Sequence, residues 1–236
     1  ISWDPLLQCI DKILYDSKNE DQPLGQIDFL HNETQWLIAC CSGKTVKIIN
    51  PLDNEVVDTL DHMDTVKSLS ITSWDRIITG SSDGTLRVWD RDLGTNKNFW
   101  PSLRSKLISL TKSKKSTEIR SEWRCTKIID HHKETIRCIE SLSETKFVSA
   151  SDDGTIRTWV YDSVGKRYLC ANMFILPKNE YMHDIAITQC GQTLSLSSGI
   201  LRAWDPVTGR SRILNLRSYQ DQDEYMMIQC ITKHKH

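Results

Sequence analysis

An excess of charge of one sign is the first thing this chain lacks. Its 236 residues carry 30 lysines and arginines against 31 aspartates and glutamates, a formal net charge of −1. Such a balance gives no global pull toward nucleic acid or an anionic membrane. Long hydrophobic runs are missing as well. No apolar stretch approaches the roughly 20 residues of a membrane span, and no signal-peptide pattern opens the chain. The eight cysteines (Cys9, Cys40, Cys41, Cys125, Cys138, Cys170, Cys190, Cys230) form no Cys-x-x-Cys pair and no zinc-spaced cluster with histidine. Most stand in apolar strand patterns and read as reduced, buried small hydrophobes. The expectations are no metal, no cofactor and an intracellular location, cytoplasmic or nuclear. Helical periodicity is scarce, and period-2 alternation dominates.

What is present is a repeat. Ile77–Asp90 reads IITGSSDGTLRVWD, and Phe147–Val160 reads FVSASDDGTIRTWV. Stacked with Asp83 on Asp153, the two share apolar pairs, a small hydroxyl residue, an Asp-Gly-Thr turn, an Arg and a Trp. Fainter copies are Ser195–Asp205, SLSSGILRAWD, and Ile38–Asn50, IACCSGKTVKIIN. A repeat at this spacing means one supersecondary unit used several times. Two short apolar-rich runs around a Ser-Asp-Gly turn make a hairpin signature, because Gly accepts positive φ and Asp bonds its own nearby backbone. With the alternating segment KSLSITSW upstream, each unit contains about four short antiparallel strands.

These residues resemble WD40 repeats, the blades of a β-propeller. The family's marks are a Gly-His before the first strand and a Trp-Asp ending the third. Here His62 goes with Trp89-Asp90, and His132 with Trp159-Val160. Asp61 and His131 stand where the family usually has Gly. Trp3-Asp4 and Trp204-Asp205 are further third-strand ends. The resemblance covers nearly the whole chain except roughly residues 96–122. It implies an all-β propeller with four whole blades, Ile27–Leu60, Val66–Ile129, Ile136–Leu176 and Met182–Leu216. Ser2–Tyr15 add only a third and fourth strand, and Tyr225–Ile231 only a first. Four blades with two partial ones do not obviously close a ring, so the chain reads as part of a larger propeller. A small propeller whose terminal strands share one composite blade is the alternative.

The resemblance also implies a buried hydrogen-bonded tetrad in the strong blades: Asp83, His62, Thr79 and Trp89 in one, Asp153, His132, Ser149 and Trp159 in the next. In it Asp orients His, His bonds the hydroxyl and the hydroxyl takes the indole N–H. Each unpaired member costs about 1–3 kcal/mol. An Asp-His-Ser set also suggests a hydrolase. The groups recur in each blade, face the interior and lack a strained nucleophile turn, so no enzyme is expected. The blade ending at Asp205 has Ser198 at the Asp position and no matching His. The blade ending at Asn50 has Ile49 for Trp. Both are expected to be held by apolar packing alone. Arg87, Arg157 and Arg202, each two residues before the Trp, are expected to pack between blades. Ser42-Gly43-Lys44-Thr45 ends like a phosphate-binding loop, but Ile38 replaces the required Gly and a strand follows instead of a helix.

Residues 96–122 interrupt the repeat between a third and a fourth strand. Phe99, Leu103, Leu107 and Leu110 have helical spacing, and Lys97 through Arg124 hold eight basic and two acidic residues. A solvated loop or a docking element for protein, an acidic surface or RNA fits this composition. The function expected is a non-catalytic protein-interaction scaffold inside a multi-protein assembly. Alternatives are an RNA-processing or ribosome-assembly propeller using 97–124, and an accessory domain of a kinase or ubiquitin-ligase complex. By matching positions, the resemblance implies a peptide-binding rim of Gln26, Ser68, Ser82, Cys138, Asp152 and Asp184, acidic and suited to a Lys- or Arg-bearing partner.

Overall fold

A computed structural model of the chain describes residues 24–31, 36–52, 55–91, 123–178, 180–188 and 191–214. Among these residues there are sixteen strands and no helix. The first blade is β1 (Leu24–His31), β2 (Trp36–Ser42), β3 (Thr45–Asn50) and β4 (Glu55–Asp61). The second is β5 (Val66–Ser73), β6 (Arg76–Ser81), β7 (Thr85–Arg91) and β8 (Trp123–Asp130). The third is β9 (Ile136–Ser143), β10 (Lys146–Ser151), β11 (Thr155–Asp162) and β12 (Arg167–Ile175). The fourth is β13 (Met182–Ile187), β14 (Thr193–Ser197), β15 (Ile200–Trp204) and β16 (Ser211–Ile213). Every sheet is an antiparallel meander in chain order. The four whole blades expected from the repeat coincide with these sheets to within a few residues.

The Asp-Gly turns form as their chemistry requires. Gly84 has φ of +79°, and its N–H donates to Ser81 O across the turn. Asp83 Oδ1 accepts from the Thr85 N–H at 2.8 Å, fixing the direction in which β7 leaves. A Cβ on Gly84 would stand 2.8 Å from the His132 carbonyl oxygen, so only glycine fits where the second blade meets the third. The segment resembling a phosphate-binding loop is another such hairpin. Gly43, at φ of +55°, joins β2 to β3, and Lys44 Nζ donates to Met63 O.

Alternation along each strand sends neighbouring side chains into different cores. Ile77 and Ile78 are both fully buried on β6. Ile77 packs with Leu37, Val46, Ile48 and Leu60 between the first and second blades. Ile78 packs with Ile139, Phe147 and Trp159 between the second and third. Val148, next to Phe147, joins Phe174, Met182, Ile185 and Trp204 between the third and fourth. The core is thus a series of seams between sheets, each buried side chain contributing about 1.5–3 kcal/mol. No blade buries both of its faces alone. The innermost strands touch in order, β1 to β5, β5 to β9 and β9 to β13, giving an incomplete propeller.

Arg91 at the end of β7 pairs with Trp123 at the start of β8. Residues 92–122 therefore leave and re-enter the second blade at one point, at the opposite end of β7 from the Asp83 turn. The helix spacing of Phe99, Leu103, Leu107 and Leu110 and the partial blades at Ser2–Tyr15 and Tyr225–Ile231 lie outside the described residues. Among the described residues no helix is long and apolar enough to cross a membrane.

Candidate functional site

The third blade holds a complete polar chain. Trp159 Nε1–H donates to Ser149 Oγ at 2.8 Å, which leaves that hydroxyl to donate to His132 Nε2 at 2.8 Å. The imidazole must then carry its proton on Nδ1, which meets Asp153 Oδ2 at 2.9 Å. The Lys133 N–H and the Thr155 hydroxyl also donate to Asp153. Burial opposes ionisation of this carboxyl, but its bonds to His132, Thr155 and Lys133 outweigh burial and hold its pKa well below the usual range. Histidine, hydroxyl and indole are all buried, so this chain braces the blade.

The second blade holds the same residues without the same closure. Trp89 Nε1 donates to Thr79 Oγ1 at 2.9 Å, and Thr79 lies 3.0 Å from His62 Nε2. His62 Nδ1, however, has no hydrogen-bond partner among the described residues. Asp83 Oδ1 takes the Thr85 N–H and hydroxyl, and its Oδ2 sits 4.0 Å from Arg87 Nη2. The matching Oδ2 of Asp153 is held by His132 and by the Lys133 N–H. The arginine at the matching position of the third blade, Arg157, donates to Thr155 Oγ1 at 3.2 Å instead. Burial and the positive charge of Arg87 lower the His62 pKa from 6.5 to about 4. The unfolded chain binds this proton first, so His62 contributes stability above pH 6.5 that is lost as pH falls toward 4. A pH series of denaturant midpoints should show this acid limb. His62→Gln should flatten it, and an unchanged limb would assign it elsewhere.

The fourth blade departs from expectation. It is not held by apolar packing alone. Trp204 Nε1 donates to Ser195 Oγ at 2.8 Å, repeating half of the tetrad. In place of His and Asp stands an ion pair: Arg202 Nη1 and Nη2 meet Glu180 Oε2 and Oε1 at 2.5 and 2.6 Å. Ser197 Oγ donates to the same carboxylate at 2.5 Å. Ser198, at the Asp position, is in a left-handed turn with φ of +46° and uses its hydroxyl on the Tyr181 N–H. Without an acid at the turn, the recurrent arginine finds one in the preceding loop. In the first blade Cys40 and Ile49 fill the hydroxyl and Trp positions, and both are buried.

Three of the six rim residues are ties between blades. Gln26 Oε1 accepts the Leu69 N–H at 3.0 Å. Ser68 is fully buried and donates to Ile136 O at 3.2 Å. Cys138 is buried and donates to His183 O at 3.3 Å, and burial, with the Asp184 charge adding to it, pushes its thiol up to about 12. Ser68 and Cys138 are thereby buried, whereas Gln26 stays exposed. A polar residue in an alternating inner strand reads as solvent-facing. Here it faces the edge of the next blade's inner strand, whose backbone groups need partners. Asp28 repeats the device on the Ile71 N–H at 3.1 Å.

Ser82 and Asp152 do lie at the turns, half-buried, each donating its N–H to the loop before the first strand, at Thr65 O and Thr135 O. Asp152 is no isolated acid, because Arg137 holds its carboxylate at 2.8 Å. Asp184 accepts the Ile185 N–H and is half-buried. The turn face carries two residues the sequence reading missed, Met63 at 77% exposure and Tyr181 at 73%. Both sit in loops entering a first strand, where Met63 falls on Lys133 and Tyr181 on Thr65 and Thr135, so the residue type changes from copy to copy and alignment singles out neither.

Comparisons with known proteins agree with this architecture. The family described as WD domain, G-beta repeat, matches residues 54–90 and 123–159, and the two matches stop and resume at the ends of the insertion. The chain is 22% identical over 213 residues to apoptotic protease-activating factor 1 of Homo sapiens, covering 79% of this chain and 17% of that protein. It is 25% identical over 219 residues to mitochondrial division protein 1 of Eremothecium gossypii, covering 83% and 27%. The chain thus spans a minor part of these relatives. Among solved structures, the WD40 beta propeller domain of Doa1 superposes with a TM-score of 0.52 at 18% identity, covering 75% of this chain and 50% of that one. A chain of the mitotic checkpoint complex gives 0.57 at 13%, covering 81% and 52%. These similarities speak to the fold. Residues 54–90 and 123–159 match the WD40 repeat, and the four-bladed array in which they lie has the fold of part of a WD40 propeller.

Proposed function

We propose that this chain is a non-catalytic protein-interaction scaffold, a WD40 subunit or domain of a multi-protein assembly. It recognises its partner on the face carrying the Asp-Gly turns. The observation that carries this reading is a division of labour. The polar positions inside the array are consumed by tetrads and ties, while the turn face presents Met63 and Tyr181 beside Ser82 and the Arg137–Asp152 pair. Methionine and tyrosine are enriched where proteins bind one another, and a few such anchors carry most of the affinity. One structural neighbour is a chain of an assembly, the mitotic checkpoint complex, which supports the reading.

The experiment identifies a partner by proximity labelling and measures its affinity for the Met63→Ala/Tyr181→Ala variant. Binding should weaken at least about tenfold, with stability within about 0.5 kcal/mol of the parent, since both residues are exposed. A second reading has its own observation, the net charge of +6 (eight basic less two acidic residues) over Lys97–Arg124. On that reading RNA binds the opposite face. Unchanged affinity in the double variant, with a salt-dependent RNA shift lost on removing 97–122, would favour it.

A further inference from the structure

Each blade ends in an outer strand whose far edge pairs with no described strand. Such edges invite pairing with another chain, and charged side chains ordinarily protect them. The first blade follows this rule with Glu55, Asp58 and Asp61 on β4, and the second with Arg124, Lys127 and Asp130 on β8. β12 does not. From Tyr168 to Pro177 it carries no charge. The contrast is sharpest at one register position. The residue facing the first Thr of the third strand is Asp61 in the first blade, Asp130 in the second and Ile175 in the third.

The backbone shows which groups are open. Leu176 N–H donates inward to Gly154 O at 2.8 Å. Alternation along an antiparallel strand then turns the N–H and C=O of Met173 and Ile175 outward. Their side chains are 50% and 66% exposed. The regular stretch is bounded on both sides. The register shifts between Thr158 and Trp159, leaving Ala171 as a bulge, and Pro177 has no N–H.

We propose that β12 is a strand-addition edge whose occupant is β12 of a second copy of this chain, paired antiparallel about a two-fold axis at Phe174. In that register Met173 of each copy lies opposite Ile175 of the other, and the two residues exchange both backbone bonds on each side of the axis. The bulge at Ala171 falls opposite Pro177, so the irregular point of one strand meets the residue with no N–H to leave unpaired. No charge opposes another over the paired stretch. The contact is isologous and closes on itself, so it makes a dimer and not a fibre.

Sedimentation over a concentration series, with residue-resolved amide exchange, tests this. The protein should pass from monomer to dimer. The Met173 and Ile175 amides should slow as dimer forms, while the equivalent Ile128 and Asp130 amides do not. Met173→Lys/Ile175→Lys should remain monomeric with unchanged melting and lose the concentration dependence. A protein monomeric at every concentration overturns the proposal. So does a dimer in which those two amides stay fast, or one that persists in the lysine variant, or protection of the edge only by an uncharged peptide of another protein. If the lysine variant does not fold, amide exchange on the parent decides alone.

Discussion

Alanine in place of Glu180 is expected to destabilise the protein by about 3–5 kcal/mol, the largest single effect proposed for the polar framework. The Arg202 side chain is 6% exposed and its guanidinium is matched on two nitrogens by the Glu180 carboxylate. Removing the acid leaves a buried charge with only the Ser197 hydroxyl, 3.0 Å away, to replace it. The pair itself is worth far less than its rupture, because desolvating two ions offsets most of their attraction. The double variant Glu180→Leu/Arg202→Met should therefore recover much of the loss. Chemical denaturation of the three proteins checks both statements, and a double variant no better than Glu180→Ala would show that shape at this site matters more than charge.

His132→Ala should cost about 2–4 kcal/mol. It removes the link from Asp153 to Ser149 and leaves both without their buried partner. Part of the Asp153 carboxylate remains satisfied by the Lys133 N–H and Thr155, which keeps the effect below that at Glu180. Asp83→Ala should cost only about 1 kcal/mol. Its sequence context is nearly the same as that of Asp153, yet its bonds are local, to Thr85 at an exposed turn, and none reaches His62.

The contrast between Asp83 and Asp153 shows what the sequence can carry. The repeat made the blades and their limits legible, because period-2 alternation and an Asp-Gly turn are local and recur. The residue types of the tetrad were legible for the same reason. Whether the tetrad closes was not, since the two turns share their residue types and differ only in whether the carboxylate reaches the imidazole. The role of Glu180 was hidden for a different reason. An acid recurs at its position as Asp64 and Glu134, but Asp64 accepts the neighbouring Thr65 N–H, whereas Glu180 reaches Arg202, 22 residues on. The rim was misread at Ser68 and Cys138 because alternation separates the two sides of a strand without saying what covers each. In a propeller both sides of an inner strand have neighbours.

The central claim is that one repeated framework is closed in the third blade, open in the second and replaced by an ion pair in the fourth. Its most direct test is one denaturant series on Glu180→Ala, His132→Ala and Asp83→Ala beside the parent. The predicted midpoints fall in that order, Glu180→Ala lowest and Asp83→Ala nearest the parent. Equal losses at Asp83 and His132, or a Glu180→Ala variant as stable as the parent, would contradict it.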